Sequence, residues 1–256
     1  MLLIPKIFEM NSDLSALNFR FEQQAKWTFE FQRKLFHNRR TSPPWKILEV
    51  GCGTGAVLRQ MIQMGSGNDI FYGIDSDRLS LSFARTSEEG HFCNAFGSDL
   101  PFPNESFDLV FCHYLLLWVK NPIMILKEMS RVCKPGGMVA AFAEPDYEAR
   151  IAYPPELDSP VRLQTDELIR QGINPTAGRQ LSSWMESAGF VSPVIGIHGF
   201  EWQGEQYKQF LEQEWDQLKK DIHLAESSEL PIRENVIFYT PTFYAYARRK
   251  FRKIPE

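Results

Sequence analysis

A short apolar run that ends in alternating glycines constrains this chain more than any other of its features. Ile47, Leu48, Glu49 and Val50 read as a short buried strand. Gly51, Gly53 and Gly55 follow, and Ala56 to Ile62 then read as the start of a helix. Glycine tolerates positive φ and lacks the Cβ that would hold a ligand off the backbone. The following helix offers free N–H groups and the positive end of its dipole, which suits a negatively charged ligand group. The spacing is G-x-G-x-G, not the G-x-G-x-x-G of dinucleotide-binding folds, and this disfavours a nicotinamide dehydrogenase.

The setting sharpens the glycine turn. Residues 70–74 read as a second strand that ends in Asp75, 20 positions beyond Gly55. An acidic residue there can accept hydrogen bonds from ribose hydroxyls. From Trp45 onward strands and helices alternate, which predicts a parallel sheet covered on both faces. Strands are expected at 46–50, 70–74, near 90–95, at 107–112 and at 138–143, with helices at about 55–64, 77–86 and 121–131. Gly65 is a candidate left-handed residue after the first of these helices, and 134–137 are expected to turn into the fifth strand.

In this order the motifs resemble the class I S-adenosylmethionine-dependent methyltransferases, and more narrowly their small-molecule branch. The resemblance runs from Glu49-Val50-Gly51-Cys52-Gly53-Thr54-Gly55 through Asp75 and Ser98-Asp99-Leu100-Pro101-Phe102. It continues through Ser106-Phe107-Asp108-Leu109-Val110 to Leu126–Gly137, so it covers about residues 46–146. It implies an α/β fold, a Rossmann-like, doubly wound, seven-stranded and mostly parallel sheet with a reversed C-terminal hairpin. The implied cofactor is S-adenosyl-L-methionine. Gly51, Cys52, Gly53 and Gly55 would admit its amino-acid end, with Cys52 merely turning the loop. Glu49 would hold the ammonium, and Asp75 with Ser76 the ribose. Asp99 would accept from the adenine amino group while Leu100 supplies backbone. Carboxylates suit these tasks because they only accept and the partners donate.

Chemistry is expected at the carboxyl ends of the strands, where open α/β sheets bind ligands. His113 and Tyr114 follow the fourth strand there, and Glu144, Asp146 and Tyr147 follow the fifth. Methyl transfer from a sulfonium is an in-line displacement governed by alignment, with a base needed only when the acceptor must lose a proton. His113 has about the right unperturbed pKa for that base, and it can equally pack on the cofactor. Glu144 and Asp146 could draw a cationic or hydroxylated substrate, cap a turn or pair with Arg150. Together with His113 they have no diagnostic metal-ligand spacing, so no metal is expected.

A helix is expected over 12–37, opened by Ser12 or Asp13. Leu14, Leu17, Phe21, Ala25, Thr28, Gln32 and Leu35 define one face, and Phe19, Gln23, Trp27 and Phe31 a second. Two such faces suit core on both sides. By the family resemblance the helix instead lids the site, with Arg20, Gln24 and Trp27 toward substrate. The expected organisation is one domain over 1–256: the lid helix 12–37, a cofactor-binding core 45–146, a substrate cover 147–188 carrying Tyr147 and Arg150, and 189–253 forming the sheet hairpin with an inserted helix. Helices are expected at 157–171, 179–188 and 204–221, and strands at about 193–202 and 236–248. The basic run 248–253 reads as a solvated terminus.

Composition excludes several classes. A formal charge of −4 argues against a protein that holds long stretches of nucleic acid. The position after the fourth strand reads Cys112-His113-Tyr114-Leu115, not the Asn-Pro-Pro-Tyr or Asp-Pro-Pro-Tyr of amino-group DNA methylases. No apolar run approaches the roughly 20 residues that span a bilayer. Four scattered cysteines without a C-x-x-C pair point to reduced thiols and a cytoplasmic protein. The sequence sets no oligomeric state. The expected function is transfer of a methyl group to an O, N or C atom of a small molecule. Two alternatives stay open: the same fold using the cofactor for non-methyl chemistry, and a noncatalytic member that binds cofactor or a partner.

Overall fold

The computed structural model describes residues 14–37, 44–86, 89–199, 204–225 and 236–250. Ser12, Asp13 and residues 251–253 lie outside them. The chain opens with two helices, α1 (Leu14–Trp27) and α2 (Phe29–His37), followed by the alternating core. That core comprises β1 (Lys46–Val50), α3 (Ala56–Met64), β2 (Ile70–Asp75), α4 (Arg78–Ala84), β3 (His91–Asn94), β4 (Phe107–Cys112), α5 (Pro122–Val132) and β5 (Cys133–Pro145). Then come β6 (Ile151–Tyr153), α6 (Asp158–Arg170), α7 (Ala177–Ser187), β7 (Val194–Ile197), α8 (Gly204–Asp221), β8 (Ile237–Tyr239) and β9 (Thr242–Arg248).

Seven strands form one sheet in the order β3-β2-β1-β4-β5-β9-β7. The first five are mutually parallel, and β9 runs antiparallel to both β5 and β7. The strand order reverses between β1 and β4, which opens a crevice at their carboxyl ends. Side chains alternate through the sheet, so each strand feeds two cores. Leu48, Val50, Val110, Cys112 and Val139 enter one, packed by α5 and α7. Ile47, Leu109, Phe111, Ala140 and Phe142 enter the other, packed by α2 and α3. Phe111 and Phe142 stack at 4.4 Å in that second core, and Phe31 of α2 meets Phe142 edge-on at 5.6 Å. A third cluster of Leu157, Leu211, Trp215, Leu218 and Phe238 lies apart, under α8 and the small sheet of β6 with β8.

Several local expectations need correction. The N-terminal helix is two helices, because at Thr28 the side-chain hydroxyl turns back to the Ala25 carbonyl at 3.1 Å. Of its second stripe, Phe31 is buried but Phe19 is 54% exposed. Gly65 ends α3 in an extended conformation (φ −67°), its N–H shared between the Met61 and Ile62 carbonyls. Residues 134–137 belong to β5, since Gly136 and Gly137 already pair with Arg249. The stretch 236–248 is not one strand: Pro241 splits it into β8, which leaves for the small sheet, and β9. Helix α7 packs Leu181, Trp184 and Met185 into the main core and so does not cover the crevice. Arg248 and Arg249 are not free at a solvated end: their guanidinium groups donate to the carbonyls of Gly136 and Cys133.

Candidate active site

The glycine turn caps β1 where the crevice opens. Gly51 and Cys52 both donate to the Ile74 carbonyl at 2.8 and 2.9 Å, which ties the turn to the end of β2. Gly51 and Gly53 have φ of +76° and +51°. A Cβ on Gly51 would stand 2.7 Å from Leu115, and one on Gly53 would stand 2.9 Å from the Phe21 ring of α1. Both conformation and space therefore require glycine here. Helix α1 lies over the turn and is held down by Asn18, whose Oδ1 accepts from Thr54 Oγ1 at 2.8 Å and Arg59 Nη2 at 2.5 Å.

Two carboxylates sit under this lid. Asp75 accepts from the N–H of Gly53 at 2.7 Å and of Asp77 at 2.8 Å. Asp77, not Asp75, caps α4 by accepting from Leu79 and Ser80. Asp75 and Ser76 both line the crevice. Burial pushes the Asp75 carboxyl up, against the pull of those backbone donors. Glu49 is 2% exposed, and its Oε2 has no hydrogen-bond partner. Burial first and the nearby Asp75 second hold it well above the usual carboxylate range. An orphaned buried carboxylate oxygen in a crevice wall is costly unless a donor occupies the crevice. Cys52 is buried beside it, and burial pushes its thiol up.

Other expected residues fall elsewhere. Asp99 is exposed, and neither it nor Leu100 lines the crevice. The Leu100 N–H donates to Glu128 at 2.9 Å while its carbonyl accepts from Arg131 at 2.9 Å, so α5 pins that loop away. Ala95 and Gly97, earlier in the same loop, line the crevice instead. Glu144 is fully buried and accepts from the N–H groups of Leu115, Leu116 and Leu117 at 2.8–3.1 Å. It thereby fixes the single helical turn 116–118 that presents Leu117 and Trp118 to the crevice, although burial still raises its carboxyl to about 7. Asp146 caps the turn 147–149, accepting from the Ala149 N–H at 3.1 Å, and pairs with Arg179 at 2.5 Å, not with Arg150. Arg150 stacks on the Tyr147 ring at 4.8 Å and donates to Thr240 and Gln164.

His113, Tyr114 and Tyr147 do line the crevice, as do Arg20 and Gln24 of α1. Trp27 does not; it packs edge-on against Phe210 of α8 at 5.7 Å. The His113 ring is buried, with Nε2 3.2 Å from Thr28 Oγ1. Thr28 also accepts from Gln32 at 2.7 Å, so the break between α1 and α2 is joined to the end of β4. Burial first, then the neighbouring His198, lowers the His113 pKa to about 3. It is a neutral imidazole at neutral pH and lacks the basicity expected of a general base. Tyr114 holds a left-handed φ of +51° at the strand end, and burial pushes its hydroxyl up as it pushes that of Tyr147 to about 12. Sequence reading missed Leu168 and Asp221, which α6 and α8 bring to the crevice from outside the motif region.

Residues 48–141 match a family model described as a methyltransferase domain. Over that stretch the chain is similar to methyltransferase domains. An uncharacterized methyltransferase of Schizosaccharomyces pombe is 32% identical over 170 residues, 61% of this chain and 60% of the relative. A demethylmenaquinone methyltransferase of Bacillus licheniformis is 30% identical over 52% of this chain and 56% of its own length. The chain thus spans less than two thirds of these curated relatives. Among solved structures, a geranyl diphosphate methyltransferase in complex with geranyl diphosphate and sinefungin superposes with a TM-score of 0.58 at 14% identity, over 86% of this chain and 76% of that one. The matched stretch supplies the glycine turn, Asp75 and His113, while Arg20, Tyr147, Leu168 and Asp221 lie outside it.

Proposed function

We propose that this chain transfers a methyl group from S-adenosylmethionine to an O, N or C atom of a small molecule. The observation that carries this reading is the unpartnered Glu49 Oε2 in the wall beside the glycine turn, which fits an ammonium donor. Asp75, with both oxygens already oriented by backbone N–H groups, suits ribose hydroxyls. Ala95 and Gly97, which line the crevice where Asp99 and Leu100 do not, suit the adenine end. When bound, the cofactor supplies an electrophilic methyl on a sulfonium. The chain's own residues bind, orient and exclude water. Phe21 and Gln24 of α1 close the crevice, and His113, fixed by Thr28, gives a neutral polar wall.

Neither a base at His113 nor direct chemistry at Glu144 or Asp146 is part of this reading. It favours an acceptor whose nucleophilic atom needs little proton removal, or one that loses its proton to solvent. An overall charge of −4 supports a small molecule over nucleic acid. Free thiols at all four cysteines support a cytoplasmic setting, and no helix among the described residues is long and apolar enough to cross a membrane.

Calorimetry with S-adenosylmethionine and S-adenosylhomocysteine tests the reading. Both should bind, and Asp75→Ala should weaken them by about 1.5–3 kcal/mol, the range for hydrogen bonds to a charged group. Binding of neither ligand by the wild-type chain would overturn it.

A further inference from the structure

Besides the glycine turn, the same crevice is lined by Tyr114, Trp118, Tyr147 and Leu168. Apart from Glu49, Asp75 and Asp77 near the glycine turn, one further acidic residue lines it, Asp221, on the last turn of α8. Asp221 is only 9% exposed. A carboxylate so buried normally has a cation beside it. Here Oδ1 accepts from the Gln217 side-chain amide and Oδ2 from that of Gln164, each at 2.6 Å. No lysine or arginine among the described residues pairs with it. Arg20 lines the same crevice and forms no ion pair with it.

The support behind Asp221 is rigid. Gln164 is itself buried, and its Oε1 accepts from Arg150 at 2.6 Å. That guanidinium is fixed in turn by Thr240 at 2.8 Å and lies over the rings of Tyr147 and Phe238. Arg150 is therefore held one amide away from the carboxylate. Each Asp221 oxygen keeps acceptor capacity beyond its one amide partner, in a group that lines the crevice. A buried carboxylate held in place by neutral donors, with its neutralising charge kept at a distance, is arranged to take a donor from the ligand.

We infer that Asp221 selects the methyl acceptor, binding an amine or hydroxyl that donates to its carboxylate while the aromatic walls hold a flat apolar body. This rests on the methyltransferase reading above, because it assigns these crevice residues to the acceptor. It also places selection outside the matched stretch 48–141, on α8 and its α6 support.

The test uses the full chain saturated with S-adenosylhomocysteine, titrated calorimetrically with phenethylamine, 2-phenylethanol and phenylacetate. At least one of the two donor probes should bind about tenfold or more tighter than phenylacetate, which offers only acceptors, and which of the two does so separates amine from hydroxyl recognition. Asp221→Asn should reduce that preference to under about threefold while leaving S-adenosylhomocysteine affinity unchanged. Phenylacetate binding as tightly as both donor probes, or no binding by either donor probe, would overturn the inference. So would a preference that survives Asp221→Asn. The wild-type comparison decides alone if that variant does not fold. Failure of S-adenosylhomocysteine itself to bind overturns the methyltransferase reading instead.

Discussion

At the scale of single residues, the site is built from groups whose pKa burial has moved from the ordinary value. Glu49 illustrates the trade between stability and binding. Its carboxyl is buried, one oxygen has no partner, and Asp75 adds repulsion. Glu49→Gln removes the charge and should raise the melting temperature of the ligand-free chain at pH 8 by about 2–4 °C, the shift expected from about 1 kcal/mol in a domain of this size. The same change should weaken S-adenosylmethionine binding by about 1.5–3 kcal/mol in calorimetry. Unchanged affinity would remove Glu49 from the ligand site.

His113 makes a prediction of opposite sign to Glu144. With a folded pKa of about 3 against an ordinary 6.5, His113 takes up its proton on unfolding between those limits. Its contribution is complete above pH 6.5 and is lost as the pH falls toward 3. Glu144, raised to about 7 from 4.5, contributes fully below 4.5 and loses that contribution as the pH rises through 7. Comparing His113→Asn with wild type isolates the first effect. Between pH 7.5 and 5 the wild type should lose about 2 kcal/mol that the variant keeps, measured by denaturant unfolding at each pH.

At the scale of elements, the lid is the part the sequence described least completely. Periodicity over 14–37 marked helix and an apolar face correctly, and Arg20 and Gln24 do reach the crevice. The break at Thr28 was not legible, because no glycine or proline marks it. It depends on a hydroxyl that serves Ala25, Gln32 and His113, the last of them 85 positions away. The clasp of Asn18 on Thr54 and Arg59 is likewise long-range. Asn18→Ala leaves the fully buried Thr54 hydroxyl without that acceptor, a cost of about 1–3 kcal/mol. Amide hydrogen exchange should accelerate along α1 in this variant while the strands β1 and β4 stay protected. Equal acceleration throughout would mean that α1 is part of the core and not a separable lid.

At the scale of the whole molecule, the parallel core and the glycine turn were legible because both follow from local pattern, apolar strands alternating with amphipathic helices and glycines where φ turns positive, whereas the seven-stranded sheet with its reversed end was implied only by the family resemblance. Asp75 sits beside the turn as its place at the end of β2 implied. Glu144 and Asp146 cap turns, one of the roles their positions allowed, and the candidates that do not reach the crevice share one cause. Asp99, Glu144, Asp146 and Arg150 stand at suitable points in the sequence, but each is turned by partners that the sequence does not bring near: α5 backs the loop at Asp99, and Arg179 claims Asp146. Asp221 was missed because nothing local distinguishes it from the other acidic residues of a charged helix.

The central claim is that Glu49, the glycine turn and Asp75 form one S-adenosylmethionine site under α1. A crystal structure of the chain with S-adenosylhomocysteine tests it most directly. The ribose hydroxyls should lie on Asp75, the amino group on Glu49, and the adenine beside Ala95 and Gly97. A ligand bound away from the glycine turn, or an adenine held by Asp99, would contradict the account.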